Sequence, residues 1–317
     1  MSPIRFALLT SLALVTVAAA AQEGDRILLT QTLVRADSKA DVIPDATAVK
    51  LEINSKVTPL LSLTPVKSAA VQIAVLIDDG LSQTAGLQLA DLKAFMLGLP
   101  SQTEVLVGYM ADGIVRVASP FTSDHAAAAA TLRVPMGMRG ISASPYFCLS
   151  DFVKRWSEGQ GQPGKARFVM MVTNGVDPYN GSTSLANQDS PYVQAAVTDA
   201  QRAGVAIYSI YYRDAGVRGD SASMSGQGYL QQIAESTGAD SYYEGSGSPV
   251  SLQPFLKQFV HAISQSYVAT FKVDPAAGGK EHLLRIKMST STPKLKLRVP
   301  NEVRPGNMEA VAMAGHP

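Results

Sequence analysis

The stretch Val71–Ser82, which reads VQIAVLIDDGLS, decides the fold of this chain. It is almost entirely apolar as far as Ile77 and then stops at Asp78 and Asp79, followed by Gly80. A short continuous apolar run that ends in polar residues and glycine predicts a strand buried on both faces. Such strands belong to parallel sheets covered by helices, and ligands bind beyond their carboxyl ends.

Two further segments, residues 166–172 and 205–212, have the same continuous apolar character, and helical patterns separate them. This alternation predicts an α/β domain with a doubly wound, mostly parallel sheet. A hairpin over residues 104–119, turning at Asp112-Gly113, predicts one antiparallel strand at the sheet edge. The predicted helices span residues 86–97, 124–132, 145–156, 191–203, 227–237 and 249–266.

Segments on both sides of this domain alternate between apolar and polar residues. The clearest example is residues 49–57 (VKLEINSKV), and the same period of two recurs after residue 267. This pattern is typical of half-exposed antiparallel strands. Because each segment alone is too short to cover its apolar face, we expect the two to pack together as one small sheet.

The first residues combine one Arg, a short apolar run and an Ala-rich end, which predicts a secretory signal peptide cleaved near Ala20 or Ala21. The protein is then exported, periplasmic or secreted, with no membrane span after cleavage. The predicted parts are a signal peptide (1–21), an N-terminal β segment (22–67), the α/β domain (68–266), a C-terminal β segment (267–306) and a frayed tail (307–317).

Composition excludes several classes of function. Residues 1–21 contain one Arg and no acidic residue, so the remainder carries 26 Lys and Arg against 26 Asp and Glu. This balance argues against nucleic acid or anionic lipid as a partner. Cys148 is the one cysteine and sits in a predicted helix, as a core thiol. The four histidines are scattered without zinc-ligand spacing.

Polar residues follow the first and fourth core strands, at Asp78–Ser82 and in residues 172–177 (VTNGVD). With these segments the chain resembles the von Willebrand factor type A domain family, and more closely its exported bacterial VWFA-related group. The resemblance covers roughly residues 70–265, and the flanking β segments also fit that group. It is carried by the order and spacing of residues 77–82, 120–124, 140–146, 172–177, 200–208, 230–238 and 265–271.

The resemblance implies a divalent-cation site. In the family an Asp and two Ser of the first loop, a Thr of a second loop and an Asp after the fourth strand hold the ion, and a partner's carboxylate completes the shell. Oxygen ligands of this kind suit Mg²⁺. Here the first loop supplies Asp78 and Ser82, but the middle Ser is replaced by Gly80.

The other two loops also depart from the family pattern. The second loop offers Ser142 or Ser144 where a Thr is usual, and the expected Thr-Asp-Gly reads Thr173-Asn174-Gly175. Affinity depends on ligand charge and number, so we expect a weakened site at which metal is not required.

Two neighbouring carboxylates could compensate for these losses. Asp177 could fold back toward Asn174, whereas Asp79 is expected to diverge from Asp78 because side chains alternate along a strand. A different interpretation of Asp78 is that it caps the backbone amides of the turn over residues 80–83.

Three functional hypotheses follow. The first is an exported, non-catalytic protein-binding module whose partner docks on residues 78–84, 139–146 and 174–190. The second is a metal-dependent hydrolase using Asp78, Asp79 and Asp177. The third is a scaffold for the β segments. The candidate partner-binding residues are Asp78, Ser82, Ser142, Ser144, Asn174 and Tyr179, and the candidate metal ligands are Asp78, Ser82, Ser142, Asn174 and Asp177.

Overall fold

The computed structural model describes residues 27–38, 43–67, 70–138, 145–156, 165–177, 190–214, 219–245, 247–274 and 283–307. Its strands are β1 (Leu28–Ser38), β2 (Val49–Ile53), β3 (Lys56–Thr58), β4 (Leu60–Pro65), β5 (Val71–Asp78), β6 (Glu104–Ala111), β7 (Ile114–Thr122), β8 (Ala166–Thr173), β9 (Val205–Tyr211), β10 (Ser241–Tyr242), β11 (Ser266–Val273), β12 (Leu284–Thr290), β13 (Leu295–Arg298) and β14 (Glu302–Val303). Its α-helices are α1 (Leu89–Leu97), α2 (His125–Ala130), α3 (Pro145–Arg155), α4 (Pro191–Ala203), α5 (Gly219–Ser236) and α6 (Gln253–Ser264).

The central sheet confirms the predicted doubly wound fold. Its strand order is β10-β9-β8-β5-β6-β7, and every pair is parallel except β6 with β7 at the edge. All eight residues of β5 are buried, because α1, α2 and α6 cover one face of the sheet and α3, α4 and α5 the other. The connections after β5 and β8 leave in opposite directions, so a crevice forms between their carboxyl ends.

The flanking segments form two sheets, so the prediction of one small sheet was wrong. The orders are β13-β1-β11-β4 and β14-β12-β2-β3, and each sheet combines strands from before and after the central domain. A shared apolar core that includes Val34, Leu51, Phe271 and Leu284 lies between them. Two sheets cover each other's apolar faces, whereas a single sheet would leave one face in water.

Three helix starts differ from the prediction by three residues or more. Helix α1 begins at Leu89 rather than at residue 86, because the chain forms a 3₁₀ helix over Gln83–Gln88 first. Helix α5 begins at Gly219, eight residues before the predicted start, although Gly and Ser in its first turns have weak helix propensity. Helix α6 begins at Gln253 rather than Pro249. Among the described residues, none of the helices combines the length and apolarity needed to cross a membrane.

A cluster of charges joins the flanking sheets to the central sheet. Arg35 of β1 is 4% exposed and pairs with Asp37 and Asp240, each at 2.6 Å. Its guanidinium also donates to the Tyr208 hydroxyl of β9 at 3.3 Å. Arg298 contacts the same two carboxylates at 2.7 Å from the solvent side. The buried cation is therefore fully compensated by side chains from both parts of the protein.

We predict that Arg35→Met lowers the free energy of unfolding by about 2–3 kcal/mol, because the two carboxylates lose their buried partner. The matched control is Arg298→Met, which removes a half-exposed cation from the same carboxylates and should cost less than about 1 kcal/mol. Urea denaturation of both variants measures the difference. Equal losses for the two variants would show that burial does not strengthen the cluster.

Candidate functional site

The loops after β5 and β8 meet through Asp78 and Thr173, the last residues of the two strands. The Thr173 hydroxyl donates to Asp78 Oδ2 at 2.6 Å, and the Gly80 N–H donates to Asp78 Oδ1 at 2.7 Å. Both side chains are buried. Both carboxyl oxygens of Asp78 thus accept a hydrogen bond from the protein. The bond from Gly80 closes a turn in the loop that directly follows Asp78.

The turn after β8 is fixed from two sides. Gly175 has φ +65°, and a Cβ there would lie 2.4 Å from the carbonyl oxygen of Gly226 in α5. On the other side, the buried Tyr146 hydroxyl of α3 donates to the Gly175 carbonyl, and burial raises the pKa of this tyrosine well above its usual value. The Gly175 N–H in turn donates to the Thr173 hydroxyl at 3.1 Å. Only glycine fits this position.

Asn174 uses both ends of its amide inside the protein. Its Nδ2 donates to the main-chain carbonyl of Asp214, and its Oδ1 accepts from the Val176 N–H at 2.9 Å. The Asp214 carboxylate accepts the Ser82 N–H. A carboxylate at position 174 could not make the first of these bonds, because it has no proton to donate. Asn174 therefore serves as a hydrogen-bond bridge in the folded protein.

Asp214 is the functional-site residue that the sequence analysis missed. It is buried and follows β9 by three residues, at the same carboxyl edge as Asp78. The rule that selected the ends of β5 and β8 also applies to β9. Applied to all parallel strands, it would have identified Asp214 from the run Tyr211 to Asp214.

Ser82 lies in the site, with its side chain at the surface. Its hydroxyl is 2.5 Å from the hydroxyl of the exposed Thr84, which is 3.4 Å from the Tyr212 hydroxyl. The backbone N–H of Ser82 is thus fixed in the site by the Asp214 carboxylate. The Ser82 hydroxyl contacts the Thr84 hydroxyl at the surface instead.

Asp79 diverges from Asp78. Its carboxylate forms a bidentate pair with Arg133 at 2.7 and 3.2 Å and accepts the Met136 N–H at 3.0 Å. The Arg133 guanidinium stacks 3.8 Å from the ring centre of Tyr109. Burial opposes ionisation of Asp79, but these donors outweigh it and lower the pKa of the carboxyl. Asp79 therefore anchors the loop over residues 132–138.

Asp177 anchors a helix. Its carboxylate accepts the Ser190 hydroxyl at 2.6 Å, and Ser190 caps α4 by accepting the Val193 N–H at 3.4 Å. This contact ties Asp177 to the start of α4. Of the remaining predicted site residues, Ser142, Ser144 and Tyr179 lie outside the described residues.

The described residues do not fit the cation shell that the resemblance implies. Gly80 has no side-chain oxygen, and the oxygens of Asp78 and Asn174 already accept hydrogen bonds. The described part of the chain holds no group of three or more His, Cys, Asp or Glu placed to hold a metal ion. The carboxylates proposed for a hydrolase, at Asp79 and Asp177, are likewise engaged elsewhere.

Burial raises the pKa of Asp78 to about 6, against the lowering effect of the hydrogen bonds from Thr173 and Gly80. The neighbouring carboxylates of Asp79 and Asp214 add to the increase. The folded protein therefore retains the proton of this carboxyl at a pH where the unfolded chain has released it. Stability from this group is fully present below about pH 4 and falls as the pH rises to about 6.

We predict that Asp78→Asn gains stability over the wild type as the pH rises from 4 to 7, by about 2 kcal/mol, because the amide never bears the buried charge. Asp79→Asn is the control with the opposite sign, since the pKa of Asp79 is lowered and its charged form stabilises the fold. Urea denaturation at several pH values measures both trends. A pH-independent difference for Asp78→Asn would contradict the assignment.

Fold and site together define a doubly wound α/β domain whose carboxyl edge carries a hydrogen-bonded acidic cluster. No protein-family model matches the chain, and no curated protein is significantly similar to it. Among solved structures, the chain is similar to a von Willebrand factor type A protein from Catenulispora acidiphila, with 10% identity, 87% of this chain and 74% of that chain covered, and a TM-score of 0.45.

It is also similar to an aerotolerance-related membrane protein from Bacteroides fragilis, with 12% identity, 62% of this chain and 99% of that chain covered, and a TM-score of 0.42. A third similar structure is the protein BatB from Bacteroides thetaiotaomicron, with 11% identity, 62% and 99% coverage, and a TM-score of 0.41. The first of the three carries the name of the family that the sequence resembles. At these values the likeness concerns the fold, and no ligand, partner or activity follows from it.

Proposed function

We propose that the protein is an exported, non-catalytic module that binds a protein partner at the carboxyl edge of its central sheet, without a metal ion. One observation carries the proposal: exposed apolar side chains concentrate at this edge. More than half of the large apolar side chains exposed in the described residues lie on its loops and helix starts, namely Leu87, Ile114, Val134, Met136, Met138, Phe147, Met224, Tyr243 and Val250. Apolar patches of this kind mark interaction sites.

Five of these residues form what we call the apolar rim: Leu87, Val134, Met136, Met138 and Val250. Three segments bring them beside Asp78. The loop over residues 132–138 is held by Asp79, and Val134 packs on Gly86 beside Leu87, so closely that a Cβ at Gly86 would lie 2.9 Å from it.

The third segment is fixed by Asp91 in the first turn of α1, whose carboxylate accepts the Leu252 N–H at 2.8 Å and the Ser251 hydroxyl at 2.7 Å. Val250 directly precedes these residues and is 87% exposed.

The rim suits a partner that presents apolar side chains. Met136 and Met138 are 73% and 65% exposed, and flexible thioether side chains adapt to varied apolar surfaces. Asp79 and Arg133, which hold the loop of the rim over residues 132–138, neutralise each other. Binding energy would therefore come from apolar burial rather than from an ion shared with the partner.

We predict that Met136→Ser combined with Val250→Ser weakens partner binding at least tenfold, because burying each side chain contributes about 1.5–3 kcal/mol. Val57→Ser is the control, since Val57 is 67% exposed on the flanking sheets. Capture from envelope extracts, quantified by mass spectrometry with Mg²⁺ or with EDTA, identifies proteins lost with the double variant alone. Binding that survives the double variant, or that disappears in EDTA, would contradict the proposal.

We further predict that the wild type shows no binding heat with Mg²⁺, Mn²⁺ or Ca²⁺ and that Gly80→Ser combined with Asn174→Asp gains Mg²⁺ binding. The two substitutions restore one hydroxyl ligand and one negative charge. Cation affinity at such a site depends on the number and charge of its ligands. Gly80 is not among the described glycines with positive φ, so a side chain at position 80 brings no left-handed backbone strain. Gly80→Ser alone is the control, and calorimetry is the measurement. Heat in the wild type would show that the site binds metal as it stands.

A further inference from the structure

A cleft of about 520 Å³ lies at the opposite, amino end of the central sheet. Its walls come from the central sheet, at Ala166 and Arg167 of β8, and from the flanking sheet, at Thr64 and Pro65 of β4 and Val268 of β11. We call it the amino-edge cleft. It is separate from the apolar rim, because the two lie at opposite ends of the same parallel strands.

The cleft is cationic. Lys67, Lys165 and Arg167 line it, and the described residues that line it include no Asp or Glu. Lys165 pairs with Glu104 at 2.6 Å. Within the described part of the chain, neither Lys67 nor Arg167 has a carboxylate partner. The cleft therefore presents two positive charges that these surroundings do not neutralise.

Of these two cations, Arg167 is the stronger indication of an anion site, because its side chain is half-buried. Its guanidinium donates to the Ala203 carbonyl at 3.5 Å and lies 5.7 Å from the ring centre of Trp156. Burial lowers the pKa of this arginine, and no carboxylate among the described residues offsets the effect. At Arg35, by contrast, burial is outweighed by acidic partners that raise the pKa. A buried cation is costly unless an anion accompanies it.

A series of hydrogen-bonded side chains holds Trp156 beside Arg167. The same series uses the carboxylate of Glu104. The Trp156 Nε1–H donates to Gln72 at 3.2 Å, and the Gln72 amide donates to Glu104 at 2.7 Å. Glu104 also pairs with Lys165. Both oxygens of Glu104 are thus used, and the Arg167 guanidinium keeps donors for another anion.

We propose that the amino-edge cleft binds a small molecule that carries phosphate or carboxylate groups, with Arg167 and Lys67 as the cations that recognise it. The volume lies within the range of small-ligand sites, and guanidinium groups favour such oxyanions because their donors match two oxygens at once. A peptide strand added to β4 is a poorer fit, since Pro65 at the end of this edge strand has no N–H to donate.

Calorimetric titration of the full chain with citrate and with pyrophosphate, in chloride buffer of constant ionic strength, tests the proposal. We expect saturable binding of at least one of the two, weakened tenfold or more in Arg167→Met and in Lys67→Met, since each variant removes a charge-assisted hydrogen bond. Lys93→Met, which removes an exposed cation from α1, is the matched control and should bind as the wild type does.

Citrate binding alone would identify a carboxylate ligand, and pyrophosphate binding alone a phosphate ligand. Absence of saturable binding of either by the wild type overturns the proposal, as does equal binding by wild type and Lys67→Met. The Lys67 variant decides the matter if Arg167→Met does not fold, because Lys67 is exposed and its replacement leaves the core intact. None of these outcomes depends on the apolar rim.

Discussion

The hydrogen bond from Thr173 to Asp78 joins the ends of two parallel strands that are buried on both faces, and much of the site depends on it. Because β5 has no exposed residue, its last side chain enters a dry environment where each polar atom needs a partner. The Thr173 hydroxyl and the Gly80 N–H supply those partners. A carboxyl group satisfied in this way holds the loops together whether or not an ion is bound.

The amide of Asn174 suits this network better than a carboxylate would. An Asp at position 174 would place another negative charge near Asp78, Asp79 and Asp214. An amide instead donates to the Asp214 carbonyl and carries no charge. Polar networks of this kind stabilise a fold only when every member is satisfied, which the amide achieves.

The sequence was sufficient to predict the strands and helices whose apolar pattern lies within the element itself. The continuous apolar run of β5 and the period of α4 predicted their elements closely, and the carboxyl-end rule placed Asp78 near Asn174. It was insufficient for pairings that join distant residues, such as β1 with β11, where Leu28 lies opposite Val273. No local sequence pattern specifies which distant strand a strand pairs with, so the predicted number of flanking sheets was wrong.

The same limit applies within the candidate site. Residue types predicted side chains that follow the strands at the carboxyl edge, but the use of each oxygen depends on donors from other elements, such as Arg133 for Asp79 and Ser190 for Asp177. Neither contact follows from the sequence alone, because each depends on where the fold places α4 or the loop over residues 132–138. Asp214 was missed for a simpler reason, because its strand end was not considered.

The flanking sheets give the two ends of the central sheet different properties. They dock at the amino end through Arg35 and Asp240, covering apolar surface there and enclosing the amino-edge cleft. At the carboxyl end, several apolar side chains of the described residues stay exposed. Since exposed apolar surface favours association in water, the proposed partner would bury most apolar surface at the carboxyl end, where Met136 and Val250 are exposed, rather than at the end closed by ion pairs.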